Sequence, residues 1–331
     1  MRALVTGASG FIGGAVAQAL LRRGAEVKVL LRPGTAPNLP EPREVEIVRG
    51  DLRDAQAVRA AIRGCDAVFH AGALYSFSAP ASEVLAVNVG GTRNVIDAVR
   101  AEGSRLVYTS SIATVGAMHG GVLPDERSMP VGPAPGPYKK SKREAEALVR
   151  QEAQAGLDAV IVNPTFPVGA RDVKPTPTGG VIRDFLDGRM PAYVDTGMNV
   201  IDVEDVAEGE LLAFDRGERG ERYILGHANL TMREFLDELA TISGRKPPRF
   251  RMPHAVALGL AHADAFVTGR LLGRAPRIPL EGVRTAREIM FASCLRAVRE
   301  LGLRQTPIRE ALAKAVRWFE ERSRSGQRGA S

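Results

Sequence analysis

Short apolar runs alternate with stretches of helical periodicity over the first half of the chain. The runs "RALVT", "EVKVLL", "DAVFH", "RLVYT" and "DAVIVNP" are rich in branched apolar residues, which favours buried β-strands. Between them lie longer segments whose apolar residues recur three and four positions apart, at 11–24, 55–64, 81–103 and 138–156. Continuous apolar strands separated by helices predict an α/β fold, a Rossmann-type doubly wound parallel sheet covered on both faces.

The pattern changes after Gly169, where a loop rich in proline and glycine follows. Shorter strands, such as "NVIDV" and "ERYILG", and several helices come next, with "GRKPPRF" and "GRAPRIP" between them. We therefore predict a first domain at 1–169 and a smaller, mostly helical substrate-binding cap at 170–321. Residues near 195–230 are expected to return to the first domain, and the basic end at 322–331 is expected to be disordered.

Three glycines spaced three apart lie between the first strand and the first helix, in "TGASGFIGG". In a strand–turn–helix unit, Gly7 permits a tight turn, Gly10 lets a pyrophosphate approach the backbone, and Gly13 lets the helix pack on the strand. The free N–H groups at the helix start then face the phosphate charge. The first domain is thus predicted to bind a nicotinamide dinucleotide. The predicted cofactor loop comprises Gly7, Ser9, Gly10, Phe11, Ile12 and Gly13.

The residue at the end of the second strand distinguishes NAD from NADP. An acidic residue there binds the ribose 2′-hydroxyl of NAD, whereas this strand ends in "LLRPG" and places Arg32 at that position. An arginine can bind the 2′-phosphate, so NADP(H) is the preferred cofactor and NAD(H) is the alternative. The ends of the next two strands are predicted to contribute further cofactor contacts, from Asp51, Leu52, Ala71, Gly72 and Ala73.

Tyr138 and Lys142 stand four apart in "YKKSK", so a helix places both on one face. A phenol titrates at about 10, but a lysine cation one turn away and a positive nicotinamide both favour the phenolate. Tyr138 can then exchange a proton with a substrate oxygen while hydride moves to or from the nicotinamide. Lys142 is expected to hold the nicotinamide ribose as well.

The strand before this helix ends in three hydroxyl residues, Thr109, Ser110 and Ser111. A hydroxyl at this point can hydrogen-bond the reacting oxygen and orient Tyr138. Ser111 is the predicted partner, Ser110 is the second choice, and Thr109 and Ser110 are counted among the cofactor contacts.

Together these motifs make the chain resemble the extended short-chain dehydrogenase/reductase family, which includes the NAD-dependent epimerase/dehydratase group. The matching motifs are "TGASGFIGG", "GDLRD", "HAGA", "NVGGTRNV", "YTSS", "YKKSK", "NPTFPVG" and "VIDVEDVAEG". The resemblance implies the catalytic roles given above, a position for Asn88 near the site, and Pro164 and Thr165 at the border of the nicotinamide.

Within this family the chain is most similar to the dihydroflavonol-4-reductase-like branch. The stretches "LRPGT" and "NPTFPVGARDVKPTPTG" look like those of the hopanoid-associated sugar epimerases of that branch. However, "YTSSIATVG" lacks the extra tyrosine of some sugar epimerases, which argues against a standard nucleotide-sugar substrate.

Three functions are compatible with this sequence. The first is a reductase or dehydrogenase that transfers hydride between NADP(H) and a carbonyl or alcohol substrate, as Arg32 favours. The second is a sugar or nucleotide-sugar epimerase, which needs the same serine, tyrosine and lysine and returns the hydride to the other face. The third is a dinucleotide-binding sensor without turnover, against which Tyr138 and Lys142 argue.

The substrate is expected outside the carboxyl ends of the strands, between the sheet and the cap. The apolar segment 255–272 is interpreted as a packed lid helix or a subunit contact, and it would also suit an apolar substrate. The candidate wall residues are Tyr75, Phe77, Ser111, Lys174, Thr178, Tyr193 and Asn199.

Composition excludes several other classes. The 331 residues carry a net charge of +7, but basic and acidic residues alternate, as at 139–152, so we expect a small-molecule substrate and no nucleic acid. Cys65 and Cys294 make neither a disulfide framework nor a metal site. No signal peptide or membrane-spanning run is expected, and the predicted location is cytoplasmic. Long helices, such as 82–102 and 138–155, favour a homodimer.

Overall fold

The structure is a computed structural model that describes residues 1–41, 44–76, 79–132, 134, 136–264, 266, 268 and 280–328. Its helices are α1 (Phe11–Arg22), α2 (Ala55–Ile62), α3 (Ala81–Leu85), α4 (Gly91–Glu102), α5 (Pro137–Gln154), α6 (Pro177–Leu186), α7 (Val203–Arg216), α8 (Met232–Ser243), α9 (His254–Asp264), α10 (Leu280–Thr285) and α11 (Ile308–Arg328). Its strands are β1 (Arg2–Thr6), β2 (Glu26–Leu31), β3 (Glu46–Arg49), β4 (Ala67–His70), β5 (Arg105–Thr109), β6 (Ala159–Pro164), β7 (Phe166–Val168), β8 (Ala192–Val194), β9 (Gly197–Asp202), β10 (Arg222–Leu225), β11 (Ala228–Thr231), β12 (Phe250–Met252) and β13 (Ile289–Met290).

Seven strands form one sheet in the order β10-β6-β5-β4-β1-β2-β3, and every neighbouring pair in it is parallel. At its centre, Leu4 of β1 pairs with Lys28 on one side and with Val68 on the other. The strand order reverses between β1 and β4, so a crevice opens outside the carboxyl ends of these strands. The predicted Rossmann-type doubly wound sheet is confirmed.

Helices cover both faces of this sheet. On one face, α1 and α7 pack in a buried apolar cluster that contains Val5, Leu20 and Leu211. On the other face, α2, α4 and α5 pack in a second cluster that contains Leu4 and Val95. Since consecutive residues of a strand point to opposite faces, burial of both faces requires the continuous apolar runs seen in the sequence.

The second part of the chain contains small sheets as well as helices. Strands β7, β9, β11 and β13 form one small sheet, and β8 pairs with β12. Helices α6, α8 and α11 share a buried cluster that includes Ile182, Phe235 and Leu312. Most of the regular structure in this part is helical, as predicted, in α6, α8, α9, α10 and α11. The short strands β7, β8 and β13 could not be predicted, because two or three residues are too few to show a periodicity.

The chain returns to the large sheet after the cap has begun. Helix α7 packs against α1, and β10 pairs with β6 to form the edge strand. Strand β9, which lies in the same predicted returning stretch at 195–230, joins a small sheet instead.

The last helix departs from the predicted disordered end. Helix α11 continues to Arg328, so residues 322–328 are helical. No glycine or proline occurs in the sequence from Ile308 until Gly326, which favours a long helix. Residues 329–331 lie outside the described part. Over the residues that are described, no helix combines the length and the apolar character needed to cross a bilayer.

Candidate active site

The three glycines form the tight turn between β1 and α1. Gly7 has a φ of +77°, and a Cβ there would lie 2.7 Å from the amide nitrogen of Gly72. A Cβ on Gly13 would lie 2.4 Å from the Gly7 carbonyl oxygen. Gly10 precedes α1, and no side chain caps the first N–H groups of that helix. This turn therefore fits a pyrophosphate, which can approach bare backbone and bind the free N–H groups.

A chain of buried polar groups fixes the end of β4 against this turn. The Thr6 hydroxyl lies 2.7 Å from His70 Nδ1 and accepts a hydrogen bond from the Gly72 N–H at 3.0 Å. His70 Nε2 lies 3.0 Å from the Thr92 hydroxyl, which donates to the Asn88 carbonyl. Burial lowers the pKa of His70 to about 3, so the ring is neutral. Because the Thr92 hydroxyl already donates to Asn88, it accepts from His70, and the ring proton lies on Nε2.

Asn88 joins the end of β4 to the catalytic helix. It lies in a π-helical turn at Ala86–Gly90, which links α3 to α4 within the predicted long helix. Its side-chain oxygen accepts from the Leu74 N–H at 2.7 Å, and its Nδ2 donates to the Ser141 hydroxyl at 2.8 Å. The Ser141 hydroxyl in turn donates to the Tyr138 carbonyl. Asn88 thus connects the backbone after β4 to the first turn of α5. Single π-helical turns are frequently found at functional sites.

The predicted catalytic residues meet at the carboxyl end of β5. Tyr138 lies one turn before Lys142 on α5 and is hydrogen-bonded to the Ser111 side chain. Ser111 caps a short 3₁₀ turn, Ile112–Thr114, with its hydroxyl accepting from the Ala113 N–H. Burial raises the pKa of Tyr138 to about 12, while the hydrogen bond with Ser111 acts in the opposite direction. The phenol is therefore protonated at neutral pH in the cofactor-free chain.

Lys142 is buried behind the end of β5. Its Nζ donates to the Thr109 carbonyl at 2.7 Å and lies 4.7 Å from the centre of the Tyr108 ring. Burial lowers the pKa of Lys142 to about 8, against the attraction of Glu146 and Glu210. The lysine is therefore a cation at neutral pH whose charge depends on neighbouring carboxylates.

Ser110 is not available as the second-choice catalytic hydroxyl. Its side chain is buried and donates to Glu146 at 2.5 Å. Side chains alternate along a strand, so Thr109 and Ser110 point to opposite faces. The Ser110 side chain faces α5 rather than the crevice, and this also argues against a side-chain contact with the cofactor.

Sequence reasoning missed the carboxylate that organises the base of the site. Glu146 accepts hydrogen bonds from Ser110, Thr114 and Asn163 and forms a 2.9 Å ion pair with Arg222. Both charged side chains of this pair are only 4% exposed. The sequence did contain one indication of this role, which is the position of Glu146 on α5. It lies two helical turns after Tyr138 and one turn after Lys142, on the same face of the helix.

The residues predicted for the adenine end lie at neighbouring strand ends. Arg32 follows β2 and is exposed, and its carbonyl accepts from the Thr35 hydroxyl. Asp51 follows β3, where hydrogen bonds from Arg53 hold the pKa of its carboxyl below the usual value. The carbonyl of Leu52 accepts from the Asn94 side chain at 2.8 Å.

The two residues predicted to border the nicotinamide lie at and just after the end of β6. Pro164 is the last residue of that strand and pairs with Leu225 of β10. Thr165 is buried and donates both its N–H and its hydroxyl to the Leu225 carbonyl. Its hydroxyl is thus engaged within the protein.

The predicted substrate residues are not all placed in the site. The Tyr75 ring meets Tyr138 edge-on at 4.3 Å between ring centres and is 43% exposed. Lys174 is exposed and Tyr193, in β8, is half-buried. Phe77 lies outside the described residues, as do 265, 267 and 269–272 of the predicted apolar helix.

Asn199 is wrong as a substrate wall residue. It is fully buried, its Nδ2 donates to Asn229 at 2.8 Å, and its Oδ1 accepts from the His227 N–H at 2.9 Å. The polar side chain therefore joins β9 to the β10–β11 segment. Thr178 is buried as well and offers no surface to a ligand.

Comparisons with known proteins agree with this architecture. A sequence model of the family described as "NAD dependent epimerase/dehydratase family" matches residues 3–226. The chain is 42% identical to a protein of Synechocystis sp. named "Putative dihydroflavonol 4-reductase", over 96% of this chain and 94% of the relative. It is 35% identical to sterol demethylase protein B of Methylococcus capsulatus, over 97% and 99%.

Solved structures show the same fold. The crystal structure of gox2253 matches with a TM-score of 0.83 at 38% identity, covering 98% of this chain and 99% of that one. The UDP-glucose 4-epimerase of Thermus thermophilus in complex with NAD matches with a TM-score of 0.74 at 25% identity, covering 97% and 99%.

Proposed function

The chain belongs to the NAD-dependent epimerase/dehydratase family, a family of enzymes, and we propose that it is an NADPH-dependent reductase of ketones or aldehydes. The convergence of Ser111, Tyr138 and Lys142 at the carboxyl end of β5 supports hydride-transfer chemistry, which a reductase and an epimerase share. This end of β5 lies one strand beyond the β1–β4 crevice with its glycine turn. The observation that carries the choice of an NADPH-dependent reductase is Arg32, rather than an acid, at the end of β2.

Tyr138 is the proposed proton donor. A group with its pKa raised to about 12 is protonated at neutral pH and can give its proton to a carbonyl oxygen that gains negative charge. A reduced nicotinamide, when bound, supplies the hydride. Ser111 would orient the same oxygen, and the Lys142 cation would stabilise the phenolate that remains on Tyr138.

The proposed substrate is an apolar carbonyl compound. The names of two relatives refer to a dihydroflavonol and to a sterol, and the partly exposed Tyr75 ring offers an apolar wall beside Tyr138. A panel of ring ketones, long-chain ketones, aldehydes and nucleotide sugars tests this, with NADPH consumption and product isomers both recorded. We expect turnover among the apolar carbonyl compounds, and turnover confined to nucleotide sugars would contradict this substrate class.

Replacing Arg32 by alanine should weaken NADPH binding and leave NADH binding unchanged. A hydrogen-bonded charge pair contributes about 1.5–3 kcal/mol, so the Kd for NADPH should rise by about 10- to 100-fold. Titration calorimetry with both cofactors measures this, and Arg59→Ala, which removes an exposed arginine from α2, is the control. Equal Kd values for NADPH and NADH in the native chain would show that Arg32 is merely a surface charge.

An epimerase is the second candidate, because the fold also matches a UDP-glucose 4-epimerase with bound NAD. An epimerase returns the hydride to its substrate and keeps its cofactor, whereas a reductase exchanges the cofactor in every cycle. Absorbance of the purified protein in the reduced-nicotinamide band and release of nucleotide on denaturation distinguish the two. We expect protein that is empty as purified and binds NADPH reversibly.

A further inference from the structure

Glu210 is a buried carboxyl that the proposed chemistry does not yet use. It lies in the middle of α7, is completely buried, and accepts a hydrogen bond from the Thr109 hydroxyl at 2.8 Å on Oε1. Its other oxygen, Oε2, has no hydrogen-bond partner among the described residues. Burial raises the pKa of Glu210 to about 8, against the Thr109 hydrogen bond and the attraction of Lys142. Such a carboxyl changes its charge near the working pH of an enzyme.

Thr109 connects this carboxyl to the catalytic lysine. The Thr109 hydroxyl binds Glu210, and the carbonyl of the same residue accepts the hydrogen bond from Lys142 Nζ at 2.7 Å. One side chain from α7 and one from α5 thus both bond to Thr109, at the carboxyl end of β5. Glu210 and Lys142 approach this residue from opposite faces of the sheet.

The other charged groups around Lys142 are already paired or neutral. The Glu146 carboxylate forms its ion pair with Arg222. The pKa of His70 on β4 is lowered to about 3, so its ring carries no charge above that pH. Burial holds the pKa of Tyr108 on β5 well above its usual value. Apart from Tyr138, whose pKa is raised to about 12, Glu210 is therefore the group among the described neighbours of Lys142 whose ionisation changes the charge beside it.

We propose that Glu210 is a positioning residue that keeps Lys142 in its charged form, as the counter-charge on the far face of the sheet, with Thr109 as the link. The inference rests on the proposed role of Lys142 beside Tyr138. An isolated buried ammonium loses its proton easily, because burial penalises the charged form. When Glu210 ionises, its negative charge attracts Lys142 across Thr109 without direct contact, and Lys142 stays a cation to higher pH. The phenolate of Tyr138 then keeps its stabilising charge.

Glu210→Gln tests the charge directly, since the amide oxygen can still accept from Thr109. In the cofactor-free chain labelled with ¹³C at lysine Cε, the Lys142 resonance is identified by its loss in Lys142→Met. We expect Lys142 to titrate at a pH lower by about one unit in Glu210→Gln. Glu126→Gln is the matched control, because Glu126 is also a buried carboxyl but bonds to the Ile224 N–H. An unchanged Lys142 titration would overturn the proposal, whatever the substrate is.

A second readout connects this charge to turnover. The alkaline limb of the pH profile for kcat should move down by a similar amount in Glu210→Gln, while kcat at pH 6 stays near the native value. Glu210→Met, which lacks polar atoms, should move the limb in the same direction. A Lys142 titration that shifts while the kcat limb stays in place would overturn the role in the site. If Tyr138→Phe kept native activity, the proposed function would fail, yet the Lys142 titration would still decide the inference.

Discussion

Tyr138→Phe is expected to lower turnover by about 10²- to 10⁴-fold, the usual contribution of a positioned proton donor. The substitution removes one hydroxyl, which bonds to Ser111, and keeps the ring that packs against Tyr75. The glycine turn and the end of β4 do not depend on this hydroxyl, so the Kd for NADPH should stay nearly unchanged. Steady-state kinetics and calorimetry on the same preparation measure the two quantities.

A control variant and a comparison variant help to interpret this result. Tyr223→Phe removes another largely buried hydroxyl, which accepts a hydrogen bond from the Glu218 N–H on the other side of the fold, and it should keep native turnover. Lys142→Met should lower turnover and also weaken cofactor binding, since Lys142 is expected to hold the ribose. Near-native turnover in Tyr138→Phe would mean that the proton comes from another group.

Arg222→Met should destabilise the fold by about 3–5 kcal/mol, the cost of leaving one charge of a buried ion pair without its partner. Arg222 pairs with Glu146 at 2.9 Å and also donates to the carbonyls of Glu126 and Ser128. Methionine fills similar volume but satisfies none of these acceptors. Equilibrium unfolding in urea, followed by circular dichroism, gives the free energy of unfolding.

The matched comparison is Arg233→Met, which breaks an exposed pair with Asp237 four residues along α8. Exposed pairs of this kind contribute only about 0.3–0.5 kcal/mol. If both variants lost the same small stability, the Glu146–Arg222 pair would not be a buried support of the site, and the role given to Glu146 would have to be abandoned.

The large sheet could be predicted because its signals are local. Each buried strand of the first half is a continuous apolar run, and each helix repeats its apolar residues at helical spacing, so length and composition identify them. The small sheets could not be predicted this way. Strand β13 has two residues, and β7, β8 and β12 have three each; their pairing is fixed by tertiary contacts.

Motif spacing also predicted the residues that the structure brings together at the end of β5, but not the charges that support them. From the sequence alone, Glu146 and Glu210 look like residues on a solvated helix face. Their burial depends on partners that are distant in sequence, such as Arg222 for Glu146. The same limit explains Asn199, whose amide bonds to β11 instead of lining a pocket. Spacing likewise could not choose between Ser110 and Ser111 as the catalytic hydroxyl. That choice depends on the direction in which each side chain points from the end of β5.

The central claim is net reduction with a proton from Tyr138, and the fate of a labelled hydride tests it most directly. A carbonyl substrate found in the panel is supplied with NADPH deuterated at the transferred position, and the product is analysed by mass spectrometry and NMR. The account predicts an alcohol that carries one deuterium for each NADPH consumed, with both signals lost in Tyr138→Phe. An isomerised product that forms with catalytic cofactor and no net change in absorbance would contradict it and establish the epimerase.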